Sequence, residues 1–267
     1  MKFLAHFGLK RIPFHKSNIQ LWDNKSLTEL HNKFNRLLEL PGIGILTGEY
    51  GIGKTIALKN LSSKVNPHMH KVIYISDTGF SSYEFYRILA TKLEIEVSYR
   101  RIDLWVSIKE HLANLKKHKK LLPIIIIDEA QNLPHDFFEN LASFLNFNYD
   151  SEDILTLWLV GNSQLLRKLK QSRYDAITSR IRIYHTLKQI ESFSEFKSFI
   201  EFGLQEAGAN TTLFSDAALR ILKEATKDTP RKIYNVVVSC LELAYQKDSN
   251  HISDEILTAV LEEMILT

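Results

Sequence analysis

The stretch ILTGEYGIGKTIAL, residues 45–58, decides how the rest of this 267-residue chain is read. Its centre, Gly48-Glu49-Tyr50-Gly51-Ile52-Gly53-Lys54-Thr55, satisfies G-x-x-x-x-G-K-S/T in full. The flanks suit that pattern. An apolar, β-branched run ends at Thr47, and a helix is expected from about Lys54, carrying Ala57, Leu58 and Leu61. Glycines let the chain curl so that backbone N–H groups converge on a phosphate at a helix N-terminus. Lys54 supplies a point charge for the β- and γ-phosphates, and the Thr55 hydroxyl joins a Mg²⁺ shell. Residues Gly48 to Ile56 are therefore the expected phosphate-binding segment, with a nucleoside triphosphate and Mg²⁺ as its ligands.

A second site lies far along the chain. Ile124-Ile125-Ile126-Ile127-Asp128-Glu129 reads as an apolar strand that ends in two carboxylates. Beside a phosphate loop, Asp128 is expected to hold Mg²⁺ through water. Glu129 is expected to polarise the attacking water as general base.

Around these motifs, β-rich runs recur at 43–47, 71–76, 123–128, 154–161 and 181–187, with stretches of helical period between them. Ser26…Glu29 and Ser81…Glu84 have the form of capping boxes that open helices. Strands that are apolar on both faces and alternate with helices predict an α/β fold with a helix-covered parallel sheet. After about residue 189 the strand signal stops. Ser192…Glu195 opens a helical region, with helices expected over 192–207, 216–226, 231–246 and 254–265. The expected division is 1–189 and 190–267.

Composition bounds the rest. Hydrophobic residues make up 45% and charged residues 24%, an ordinary globular mixture. No apolar run is long enough to cross a bilayer, and the N-terminus has no secretion-signal pattern. The single cysteine, Cys240, excludes an internal disulfide framework. These features lead us to expect a cytoplasmic protein without a membrane partner. The net charge of +3 conceals an asymmetry. Residues 1–189 carry 27 Lys and Arg against 18 Asp and Glu, whereas residues 190–267 carry 7 against 13. The basic front part has the charge sign that nucleic acid requires.

A glycine-rich loop paired with a distant Asp-Glu resembles the AAA+ branch of the P-loop ATPases. That resemblance implies ATP hydrolysis, a five-stranded parallel core of order 5-1-4-3-2, and an all-helical lid. It also implies three further parts. A polar first sensor at the tip of the fourth strand corresponds to Asn162, with Ser163 as the alternative; Asn162 also reads as the cap of the following helix. A second-sensor arginine corresponds to Arg231 in Thr229-Pro230-Arg231, although Asp228-Thr229 stands where Gly often precedes Pro-Arg. An arginine finger that reaches a neighbouring subunit corresponds to Arg180, with Arg173 and Arg182 as competitors.

The opening Phe7-Gly8-Leu9…Ile12-Pro13-Phe14, the block Asp128-Glu129-Ala130-Gln131 and Ser179-Arg180-Ile181 resemble a bacterial subgroup. That subgroup includes ExeA-like secretion ATPases and the transposition helpers related to TnsC and MuB. The resemblance implies that segment 1–25 lies on the adenine side, through Pro13 and Phe14; an apolar anchor for the N-terminus is the alternative. With the lid expected to close the ATPase module at Thr267, the form resembles the helpers, and a helper role is the expectation. The helpers assemble on duplex DNA with ATP as rings or filaments and recruit a transposase. Candidate DNA contacts are Arg100 and Arg101 beside Tyr99, the run Lys116, Lys117, Lys119 and Lys120, and Arg167, Lys168 and Lys170. The lysine run reads equally as a helix C-terminus favoured by the dipole. No recognition helix or zinc spacing is visible, so DNA binding is expected to be largely independent of sequence. The rival expectations are a secretion-type ATPase and a nucleotide-switched module with a protein ligand.

Overall fold

The computed structural model describes residues 2–15, 20–76, 79–209 and 213–265. Helices α1 (Lys2–His6) and α2 (Lys25–Glu39) precede strand β1 (Ile43–Thr47). The glycine loop then leads into α3 (Lys54–Ser63) and β2 (His70–Ile75). Helices α4 (Ser82–Leu93) and α5 (Arg101–Lys119) come before β3 (Leu122–Ile127), and a 3₁₀ turn over Ala130–Asn132 joins β3 to α6 (His135–Phe144). Next are β4 (Thr156–Gly161), α7 (Ser163–Leu169), the short α8 (Asp175–Thr178) and β5 (Ile181–Thr186). Helices α9 (Phe193–Glu206), α10 (Asp216–Thr226), α11 (Pro230–Gln246) and α12 (Asp254–Ile265) follow.

All five strands pair in parallel, in the order β2-β3-β4-β1-β5. Read from the other edge, this is the expected 5-1-4-3-2. Burial explains the sequence texture. Central β1 and β4 are buried at every position, and β3 at all but its first. Edge strands β2 and β5 expose alternate residues, because an edge strand has one neighbour and a less completely covered face.

Two compact units result. One comprises residues 25–49 and 57–187; the other gathers the segment up to Asn24, Tyr50–Ile56, and the chain from Lys188 onward. The sheet unit buries a cluster in which Phe80, Phe85, Tyr86, Phe137, Phe138 and Phe144 pack with Ile125, Ile127 and Leu159. The helical unit has its own core: Phe3, Phe7 and Leu9 pack with Phe196, Leu222, Val237, Leu241 and Leu257. The N-terminal segment thus shares the core of the C-terminal helices.

Local chemistry set most element boundaries as expected. Ser81 and Glu84 form the reciprocal box that starts α4, and the Ser192 hydroxyl accepts from the Glu195 N–H at the start of α9. The expected box at Ser26 did not form. Helix α2 begins at Lys25, so Ser26 lies inside it, with its hydroxyl 3.3 Å from His185 Nε2 on β5. Inside the helix the Ser26 hydroxyl has the buried His185 imidazole as its partner, a group that the sequence around residue 26 does not contain. Another buried link closes the far end of α2. Pro41 stands four residues beyond Leu37 and has no N–H to donate. The Leu37 carbonyl instead accepts from the buried Thr156 hydroxyl on β4, at 2.7 Å.

Candidate active site

Strands β1 and β4 of the sheet unit end level with one another, and β3 ends two residues short of them on the same side. Ile45 pairs with Leu159 and Leu159 with Ile127, while Thr47 pairs with Gly161. The start of the glycine loop at Gly48, the carboxylates after β3, and Asn162 after β4 therefore leave the sheet at one C-terminal edge. In open α/β sheets ligands bind at this edge.

Asp128 is buried, and both of its oxygens are engaged. Oδ2 accepts from the Tyr74 hydroxyl at 2.9 Å, and Oδ1 from the Glu129 N–H at 2.9 Å. Glu129 sits in the left-handed region, at φ 52°. That region costs a non-glycine residue about 1–2 kcal/mol and persists only where neighbours over-determine it. Its carboxylate oxygen Oε2 accepts from Gln131 Nε2 at 2.7 Å, and the oxygen of the same Gln131 amide accepts from the Asn162 N–H at 3.3 Å. Asn162 is itself buried and caps α7, accepting from the Gln164 N–H at 2.8 Å.

The later part of the glycine loop lies in the helical unit. Gly51 and Gly53 have φ of +77° and +102°, which side-chain-bearing residues rarely adopt. The space beside Gly53 is open, whereas a Cβ on Gly51 would come within 3.0 Å of Thr229 and 3.1 Å of Arg231. Arg231 in the first turn of α11 is thus brought against the loop. Its charge opposes the dipole of its own helix there, which favours an anion nearby. Lys54 is buried, with Nζ 5.8 Å from the Tyr50 ring centroid, and Thr55 is exposed. Pro13 is buried; the Phe14 ring covers Gly203 and packs on Phe199 at 5.3 Å. Glu49 and Tyr50 are exposed, and Ile52 and Ile56 half-buried.

Arg180 lies at the opposite edge of the sheet, immediately before β5. It forms a two-pronged ion pair with Asp150, with Nη2 2.7 Å from Oδ2 and Nη1 on Oδ1. The guanidinium holds the Asp150 carboxyl below the usual carboxylate range. Arg182 pairs with Asp153 at 2.6 Å, and Arg173 is exposed. Arg180 and Asp128 occupy opposite ends of one sheet, so Arg180 stands away from Asp128 and Glu129 of its own chain.

Among the candidate nucleic-acid contacts, Tyr99 is 98% exposed and Arg100 is exposed beside it at the start of α5. Arg101 also donates to Asn140 Oδ1 at 2.8 Å and stands over the Tyr86 ring. Lys116 reaches the Asp153 carbonyl at 3.1 Å and Glu152 at 3.6 Å, whereas Lys117, Lys119 and Lys120 face solvent. Lys168 departs from expectation. Its Nζ binds the carbonyls of Gln131 and Leu133 and lies over the Phe138 ring, and burial lowers its pKa. Gln131, Tyr74 and Asp150 had no role expected from their sequence positions. Only Gln131 carried a signal, an amide two residues beyond a candidate base.

The AAA domain family matches residues 36–169. General secretion pathway protein A of Aeromonas hydrophila is 28% identical over 217 residues, covering 79% of this chain; this chain spans only 38% of that protein. The Aeropyrum pernix ORC2 protein, solved as ADPNP–ADP complexes, superposes with a TM-score of 0.67 at 16% identity, covering 97% of this chain and 71% of that one. The Aeropyrum pernix ORC1 protein in complex with DNA gives a TM-score of 0.64 at 15% identity, covering 98% and 68%. At such identities these two likenesses speak for the fold.

Proposed function

The chain belongs to the AAA domain family, and from that premise we propose that it is a DNA-binding ATPase that assembles with ATP and assists a transposase in choosing or engaging its target. One observation carries the enzymatic part. Asp128, Glu129 and Asn162 leave adjacent strands at one edge, with Glu129 tethered there in a strained conformation.

The residues fit a nucleoside triphosphate. Positive-φ glycines, open space beside Gly53, and Arg231 against Gly51 make an anion cradle. Gly48–Ile56 and Lys54 would hold the phosphates, and Thr55 and Asp128 would hold Mg²⁺, Asp128 through water. The metal supplies neutralisation of the phosphate charge when bound. Glu129 takes the proton of the attacking water, Asn162 orients that water, and Arg231 adds positive charge from the lid, residues 190–267. Arg180 acts on the nucleotide of a second copy, which agrees with its place at the far edge of its own sheet.

Binding to duplex DNA is supported by the exposed Tyr99 and Arg100 and by solvent-facing Lys117, Lys119 and Lys120. A fold relative, the Aeropyrum pernix ORC1 protein, was itself solved in complex with DNA. The likeness to general secretion pathway protein A favours a second reading, an ATPase acting in secretion. Fluorescence anisotropy with a labelled duplex separates the two. On the first reading binding requires ATP, falls steeply with salt through counterion release, and weakens for every sequence when Arg100 and Arg101 become Glu. No DNA binding at low salt with ATP would favour the secretion reading.

A further inference from the structure

The Gln131 side chain links the carboxylate after β3 to the tip of β4, and the two ends of its amide make different demands. Its nitrogen faces an acceptor, Glu129 Oε2 at 2.7 Å; its oxygen faces a donor, the Asn162 N–H at 3.3 Å. An amide satisfies both only in this orientation, so the side chain cannot flip without placing like partners together. Gln131 is 8% exposed, so water competes little for either bond.

The surroundings are built for this bridge. A Cβ on Gly161 would run into Gln131 Oε1 and lie 3.2 Å from Leu165; only glycine at the end of β4 leaves room for the amide. The turn that carries Gln131 is held from the other side by Lys168 on α7, which donates to the carbonyls of Gln131 and Leu133. Glu129 is restrained through its main chain as well: its N–H donates to Asp128 Oδ1, and its carbonyl accepts from the Asn132 N–H at 3.0 Å. These contacts explain how a glutamate stays at φ 52°.

We propose that Gln131 is a positioning residue that sets the Glu129 carboxylate in register with Asn162, so that the base and the water-orienting group move as one piece. This inference rests on the ATPase reading above. Its consequence is that losing the bridge lowers turnover without loosening nucleotide binding, because the Gln131 amide is engaged by Glu129 and Asn162 rather than by the glycine loop.

The test uses Gln131→Met, which keeps the length and apolar volume but removes both polar ends, and Gly161→Ala, which crowds the amide oxygen from β4. Both should lower kcat for ATP about tenfold to a hundredfold, the scale expected when a reacting group is misplaced by about an ångström. The dissociation constant for a fluorescent ATP analogue should stay within about twofold. In a Glu129→Gln background Gln131→Met should cost nothing further, since the group it positions is gone. Amide exchange supplies a readout independent of turnover: the Asn162 N–H should lose protection in Gln131→Met. If either folded variant turns over ATP at the native rate, or if Gln131→Met lowers turnover equally with and without Glu129, the positioning role is overturned. If Glu129→Gln alone leaves hydrolysis intact, the ATPase reading of Glu129 fails instead.

Discussion

Replacing Glu129 with Gln removes one negative charge and almost no volume, and the structure bounds what else it changes. The new amide oxygen can still accept from Gln131 Nε2, at the position where Oε2 now lies 2.7 Å away. The bond passes from charge-assisted to neutral, which costs about 1 kcal/mol. Asp128 keeps Tyr74 and the residue-129 N–H as partners. On the proposed function, what disappears is the base. General-base catalysis contributes about 10²–10⁴ in rate, or about 3–5 kcal/mol of barrier, several times the stability change. Hydrolysis should therefore fall by at least about a hundredfold while ATP affinity changes less than about threefold. Phosphate release under saturating ATP and equilibrium binding of a fluorescent analogue measure the two quantities. ATP-loaded oligomers should then persist on a long duplex, visible by electron microscopy, because the γ-phosphate is no longer removed. A drop in hydrolysis matched by an equal drop in affinity would refute the reasoning, since it would make Glu129 a binding group.

Two further outcomes test the scaffold. Thr156→Val should destabilise by about 1–3 kcal/mol, because it strands the buried Leu37 carbonyl that Pro41 cannot serve. Thr156→Ser, which keeps the hydroxyl, should cost less in the same urea titration, and the reverse order would disprove the link. His185 should make stability pH-dependent. Burial foremost, then the charge of Lys33, lowers its pKa below 6.5. The folded state therefore favours the neutral ring, and its contribution is present above pH 6.5 and lost as pH falls below it. The slope for one proton is at most about 1.4 kcal/mol per pH unit. Urea midpoints from about pH 7 to about pH 5.5 should fall less in His185→Gln than in the native chain.

Much of this protein was decided by sequence alone, because the deciding signals are local. A glycine loop between an apolar run and a helix, an Ile run closed by Asp128-Glu129, and the Ser81…Glu84 box each state their geometry within a few residues. Alternation of these elements determined a helix-covered parallel sheet, since that arrangement buries strands that are apolar on both faces. Tertiary structure decided what depends on partners distant in the chain. It alone paired Ser26 with His185, Thr156 with Leu37, and Arg180 with Asp150. It turned Lys168 from a surface cation into the clasp of the Gln131 turn, and brought Thr229 and Arg231 against Gly51. A side chain's periodicity shows which face is buried, but a hydrogen bond across the fold depends on packing that no local window contains.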